Sequence, residues 1–336
     1  MSFEIRKLQS SGYDIYELAD NDTKASAKVA PDLGFNLYSL HLPSEGKLMP
    51  VLVEPKTMEE MKAGPSRYGN PILFPFPNRI DQGKYNWNGK AYHTPAGNGA
   101  HAIHGYAHKA AWRVLRTNAT ADQASITAAF QISKDAPEHL THWPTDAAIE
   151  VTYTLKNDQL IVSALVNNPD NKTMPWGLGY HTYFNLPLTP EGSSIKTSIT
   201  IPASRKWQLA NFIPTGDKVS LPAELDLRNG RNLAELKADD VLTDLGHDAD
   251  GKTVCRLADF NSSVAIQLTT DRQFRELVVF TPGWNNHALA IEPYTQVTDA
   301  INLAARGIDG GLRTLEPGQS AVLSMTISIS DLKSSN

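Results

Sequence analysis

The chain has a single cysteine, Cys255, in 336 residues. No intrachain disulfide can form, and a reducing compartment suits such a chain. No apolar run approaches the length of a membrane span. The first residues, Met1 to Gln9, carry neither an apolar stretch nor a small-residue cleavage pattern, so a cytoplasmic protein without a secretory leader is expected. Positive charge is not in excess either: 31 Lys and Arg stand against 36 Asp and Glu, a net charge of −5. That balance argues against nucleic acid or an anionic membrane as the main partner. Three catalytic signatures are missing: the G-x-S-x-G nucleophile elbow, the glycine-rich phosphate loop and H-E-x-x-H. Internal repeats and low-complexity linkers are missing too, and nothing alternates strands with long helices, which excludes a parallel βαβ architecture.

What is present reads as β structure. In Ile149 to Lys156 apolar and polar residues alternate; Asn157-Asp158 supplies a turn, and Leu160, Val162, Ala164 and Val166 resume the alternation. This is the pattern of a half-buried antiparallel hairpin. Leu323, Met325, Ile327 and Ile329 alternate near the C-terminus, as do Val264, Ile266 and Leu268, and similar runs recur near 26–30, 125–132 and 195–201. Helical text is scarce. Thr57 with Glu60 three residues on reads as a capping box before a short helix, and Asn232 to Lys237 is a second candidate. Hydrophobic residues make up 41% of the chain, enough for a large core, and 22 Gly and 21 Pro are spread as frequent turns require. An all-β chain forming one domain over 1–336 is expected. The polar stretch Asn167 to Lys172 marks the competing boundary, near 168–173, but reads better as a long loop between strands.

Several segments carry chemistry. His101, His104 and His108 lie close together, and His139 and His142 form H-x-x-H. Imidazoles in such numbers suggest a metal site. However, Gly105 interrupts any helix that would align His104 with His108, and no carboxylate lies within the cluster. Histidines on surface loops, with no metal, are the expectation. In Gly69 to Ile80 three prolines fall within seven residues and forbid a regular central strand. The stiffened loop ends in Asn78-Arg79, whose amide and guanidinium donors suit sugar hydroxyls. Finally, His181 ends the Gly- and aromatic-rich run Met174 to Tyr180, and Glu292 follows an apolar stretch and precedes Pro293. A proton donor and a proton acceptor thus stand about 110 positions apart.

Four motifs occur in order: Asn78-Arg79-Ile80; Ile103-His104-Gly105-Tyr106 with Trp112 after it; Gly179-Tyr-His181-Thr-Tyr-Phe-Asn185; and Ile291-Glu292-Pro293 with Thr298-Asp-Ala-Ile-Asn302. Together they resemble the aldose 1-epimerase (galactose mutarotase) family, and the likeness covers most of the chain. The resemblance implies a large antiparallel β-sandwich with few short helices and a sugar pocket on one face. It further implies Glu292 as general base, His181 as general acid, and His104, Asn78 and Arg79 as sugar-binding residues. An aspartate that contacts ring hydroxyls in the family maps to Asp239, with Asp240 as the alternative. The Pro-rich text before Asn78 and the run Pro175 to Tyr180 depart from galactose-acting members, which leaves the sugar open.

That chemistry needs no cofactor. Opening a cyclic aldose removes a proton from the anomeric hydroxyl and adds one to the ring oxygen; rotation about C1–C2 and reclosure give the other anomer. A positioned acid or base contributes roughly 10²–10⁴ in rate. The expected partner is a small sugar, with the chain acting as a monomer or homodimer. Trp176, Tyr180 and Trp284 are each either pocket walls or core. Two alternatives remain on the same fold. A hexose-6-phosphate 1-epimerase requires a basic patch, for which Arg67, Arg79 and Lys109 are candidates. A non-catalytic carbohydrate-binding protein has no need of an acid–base pair.

Overall fold

The computed structural model of the chain describes residues 2–44, 46–97, 99–189, 192 and 196–332. About half of it is strand, and its three α-helices are short. The alternating text folds as its period dictates. Ala148–Lys156 and Gln159–Asn167 pair antiparallel from Ala148↔Asn167 to Lys156↔Gln159. Along both strands buried residues alternate with half-buried ones. The C-terminal strand Ser320–Asp331 lies between Gln159–Asn167 and Val264–Asp271. These strands belong to a nine-stranded sheet. A second, eight-stranded sheet includes Ala203–Ala210, Asp239–Leu245, Glu276–Phe280, Ala288–Tyr294 and Thr182–Asn185. A third sheet of five strands takes up residues 3–50 in simple meander order.

The two large sheets share one core. Val151, Tyr153, Val162 and Met325 from the first and Leu242, Leu277, Val279, Leu289 and Ile291 from the second belong to a single buried apolar cluster. Side chains alternate across a strand. With Leu277 and Val279 turned to this core, Glu276, Val278 and Phe280 therefore face the other way. With Leu289 and Ile291 turned inward, so do Glu292 and Tyr294. The outer face of the eight-stranded sheet is thus where buried polar groups collect.

The capping box forms. Thr57 Oγ1 accepts from Glu60 N (3.1 Å), and the Glu60 carboxylate accepts from Lys56 N (2.8 Å), at the start of helix Met58–Ala63. The helix expected from Asn232 to Lys237 does not form as such. Only Leu233–Glu235 coils, as a 3₁₀ turn capped by the Asn232 side chain. Arg231–Asn232 is already committed to pairing with Thr197–Thr200, and so short a segment cannot offset the cost of nucleating an α-helix. Of the run expected near 195–201, Ile195 lies outside the described residues and Thr197–Thr200 is a strand. In the Pro-rich segment Ile72–Leu73 is strand, paired with Gly179–Tyr180, and Arg79–Ile80 at its end pairs with Ala102–Ile103. No described helix is long and apolar enough to cross a membrane.

Candidate functional site

Two neighbouring chain segments of the eight-stranded sheet bring the acid–base candidates together. Gly179 pairs with Tyr294 and Thr182 with Ile291; the same register sets His181 directly across from Glu292. His181 Nε2 lies 3.4 Å from Glu292 Oε1, and both residues are buried. A tyrosine grips each end of this pair. The Tyr183 hydroxyl is 3.2 Å from His181 Nε2, and the two rings stack with centroids 4.4 Å apart. The Tyr294 hydroxyl donates to Glu292 Oε2. Behind Tyr294, its cross-strand partner Glu276 accepts from Trp207 Nε1 at 3.0 Å, and burial pushes the Glu276 carboxyl up to about 7.

Glycine makes room for this arrangement. A Cβ on Gly179 would stand 2.4 Å from Tyr294 Cδ1 and 2.7 Å from Pro77 Cβ. The ring that holds Glu292 rests on bare backbone. Gly105 serves the neighbouring wall: its φ is +64° and a Cβ there would stand 2.3 Å from the Phe74 carbonyl oxygen.

Asn78 and His104 both adopt left-handed backbone, φ 54° and 66°, a conformation that costs a non-glycine residue about 1–3 kcal/mol. They are locked to each other, since His104 N donates to Asn78 O at 2.8 Å beside the short ribbon pairing Ile103 with Arg79. The His104 ring stands 5.5 Å from that of His181, and its Nδ1 has no partner. Arg79 Nη1 donates to Asn78 Oδ1 at 3.1 Å, and its guanidinium lies over the Phe212 ring. Of the two aspartates, Asp239 lines the cavity, whereas Asp240 Oδ1 is paired with Lys206 Nζ at 2.7 Å.

All six residues, Asn78, Arg79, His104, His181, Asp239 and Glu292, line one cavity of about 790 Å³, a size usual for small-molecule sites. His108 lines it too and is buried, not the surface-loop histidine expected from the sequence; His104 is likewise buried. Trp284 forms part of the wall, while Trp176 and Tyr180 belong to the core. Among the described residues, no group of three or more His, Cys, Asp or Glu could hold a metal ion. The roles of Tyr183 and Tyr294 were missed. Tyr183 sits inside the motif around His181 and Tyr294 two places after Glu292, but only the strand register reveals that they touch the pair.

The electrostatics favour uncharged forms. Burial pushes the Glu292 carboxyl well above the usual range; Asp239 adds to this, while the Tyr294 hydrogen bond and Arg79 oppose it. Burial lowers the His181 imidazole to about 3. His104 is driven well down by burial and then by the neighbouring histidines and cations. Asp239 is raised by burial, against the pull of Arg79. A neutral carboxylic acid beside a neutral imidazole holds one transferable proton, as many as the carboxylate–imidazolium form does. The pair changes form by moving a proton between its members, without exchange with solvent.

Comparison with known proteins fits this geometry. The sequence profile described as aldose 1-epimerase matches residues 14–328. Galactose mutarotase of Rattus norvegicus is 30% identical over 155 residues, 45% of this chain and 42% of that protein. The uncharacterized protein YihR of Escherichia coli is 31% identical over 141 residues, 41% of this chain and 42% of that protein. The chain thus spans less than half the length of these curated relatives. In fold it is similar to a galactose mutarotase-like protein from Clostridium acetobutylicum, with a TM-score of 0.89 at 24% identity over 98% of this chain and 99% of that one. A putative aldose 1-epimerase of Escherichia coli K12 gives 0.73 at 21% identity over 98% and 100%. With a match that runs through nearly all of its strands, the chain belongs to the aldose 1-epimerase family.

Proposed function

We propose that this protein interconverts the α and β anomers of an aldose by acid–base ring opening and reclosure. The observation that carries the reading is the 3.4 Å approach of His181 Nε2 to Glu292 Oε1 on the floor of a cavity walled by hydrogen-bond donors. In this reading Glu292 takes the proton of the anomeric hydroxyl and His181 supplies one to the ring oxygen. His104, Asn78, Arg79 and Asp239 hold the sugar. Ring opening leaves Glu292 as carboxylic acid and His181 as imidazole, the neutral forms that burial favours. Reclosure reverses both transfers and restores the ion pair, so the cycle consumes no proton. Polar sugar hydroxyls and Arg79 compensate the carboxylate while the closed ring is bound.

A role confined to binding leaves the juxtaposition of a buried acid and a buried base without purpose. The chain is read as one domain, supported by the C-terminal strand lying between strands from the two halves of the sequence. Polarimetry on freshly dissolved α-aldoses tests the function. Wild-type protein is expected to speed the approach to rotational equilibrium, and Glu292→Gln to lose that acceleration. Equal rates for the two proteins end this reading.

A further inference from the structure

The outer wall of the cavity has a charge pattern that a neutral sugar does not need. Lys62, Arg67 and Lys109 line it, with Arg79 deeper in. They come from three separate places: the last turn of helix Met58–Ala63, the turn that follows it, and the end of the 3₁₀ turn Ala107–Lys109. Facing these four cations are three carboxylates, Asp32, Asp239 and Glu292. The whole chain carries −5, so this rim is positive in an acidic protein.

Among the described residues, none of the four cations is within ion-pair distance of a carboxylate. Three are held by aromatic faces instead. Lys62 Nζ lies 5.8 Å from the Tyr13 ring centroid, Arg67 Cζ 5.8 Å from that of Trp284 and Arg79 Cζ 4.5 Å from that of Phe212. Arg67 is further fixed because its stem packs on Gly64 and its N–H donates to Gly64 O at 3.0 Å. An aromatic face orients a cation without neutralising it, whereas a carboxylate would do both. The charge therefore stays available to a ligand.

Resting on the epimerase reading above, we propose that the sugar taken by this cavity carries an anionic group on the side away from its anomeric carbon, received by Lys62, Arg67 and Lys109. Phosphate, sulfonate and carboxylate share the required chemistry: several acceptor oxygens and a full negative charge.

The test compares glucose with its 6-phosphate, 6-sulfonate and 6-carboxylate counterparts, each corrected for its uncatalysed mutarotation. At low salt at least one anionic sugar is expected to exceed glucose in kcat/KM by about tenfold or more, and the ranking of the three identifies the group. Raising ionic strength from about 0.01 M to about 1 M shortens the screening length from about 30 Å to about 3 Å. It is expected to erase the preference in the unmodified protein. In the triple variant Lys62→Met, Arg67→Met, Lys109→Met the ratio of anionic to neutral kcat/KM should fall about tenfold. Glucose turned over as well as every anionic sugar overturns this proposal and leaves the epimerase reading standing, as does a preference that survives both salt and the triple variant. No acceleration of any of the four sugars overturns the epimerase reading itself, and this proposal with it.

Discussion

Tyr294 donates its hydroxyl hydrogen to Glu292 from two residues further along the same strand, on the same face of the sheet. This hydrogen bond favours the carboxylate, against the much larger push of burial toward the neutral acid. A hydrogen bond to a charged group is worth about 1.5–3 kcal/mol. In Tyr294→Phe the limb of kcat/KM that reports Glu292 ionisation is therefore expected to move to higher pH by about one unit or more, and kcat/KM at neutral pH to fall roughly tenfold. A full pH–rate profile measures both; a loss of rate with an unshifted profile assigns Tyr294 a packing role only.

Gly179→Ala drives a methyl group into the Tyr294 ring and Pro77. Overpacking of this kind costs about 1–3 kcal/mol, and the displaced ring takes its hydroxyl away from Glu292. Chemical denaturation should show the stability loss, and mutarotation a rate loss beyond what the folded fraction explains. Gly283→Ala, where a Cβ meets open space, serves as the control and is expected to change stability by less than about 0.5 kcal/mol.

Glu292→Gln should be the more stable protein at alkaline pH. The folded carboxyl titrates well above 4.5, so its contribution to stability is greatest below the unfolded value and is lost as pH rises toward the folded one. The amide removes that dependence. Urea midpoints of the two proteins are expected to diverge as pH rises above about 5, and parallel curves would contradict a buried, neutral Glu292.

The histidines work in the opposite sense. Burial holds His181 and His108 at about 3, so the neutral imidazoles stabilise the fold above about 6.5 and that stability is lost as pH falls from there toward 3. His108→Gln should flatten the acid side of the stability curve by about one proton. Midpoints measured between pH 4 and 7 decide it: a variant as acid-sensitive as the parent refutes a neutral, buried His108.

Mutarotation should survive exhaustive treatment with a chelator. A rate that falls on chelation and returns with an added divalent ion would restore a metal reading of His104 and His108.

The β architecture was readable because period-two alternation is local. Residues 148–167 name their own faces, and Thr57 with Glu60 names its own cap. Five of the six candidate residues were reached through ordered motifs and Asp239 through the family resemblance, none of them through geometry. What sequence could not supply depends on which strands become neighbours. Tyr294 and Gly179 are separated by more than a hundred positions, and neither hints at the other until register lays one on the other. Of the rim cations, Arg67 and Lys109 were already candidates for a basic patch, but Lys62 was hidden for the same reason: it looks like an ordinary helix-end lysine until Tyr13 and Arg67 are seen beside the same opening. His108 was misread because closely spaced histidines around Gly105 read as a surface loop, whereas the segment folds into the cavity wall. The stretch 232–237 was misread because local helix propensity was outweighed by strand pairing at Arg231–Asn232.

The register that sets His181 across from Glu292 is a property of the hydrogen-bonded ladder, shared by every residue of both strands. A slip by one position would turn each side chain to the opposite face, so the juxtaposition of His181 and Glu292 is as hard to lose as the sheet itself. The rim has no such guarantee. Lys62 at the end of a short helix and Arg67, Lys109 and Trp284 on turns and loops can be substituted without touching the ladder. The two parts therefore answer differently to substitution: changes at the doorway alter what the cavity admits, while His181 and Glu292 on its floor keep their places.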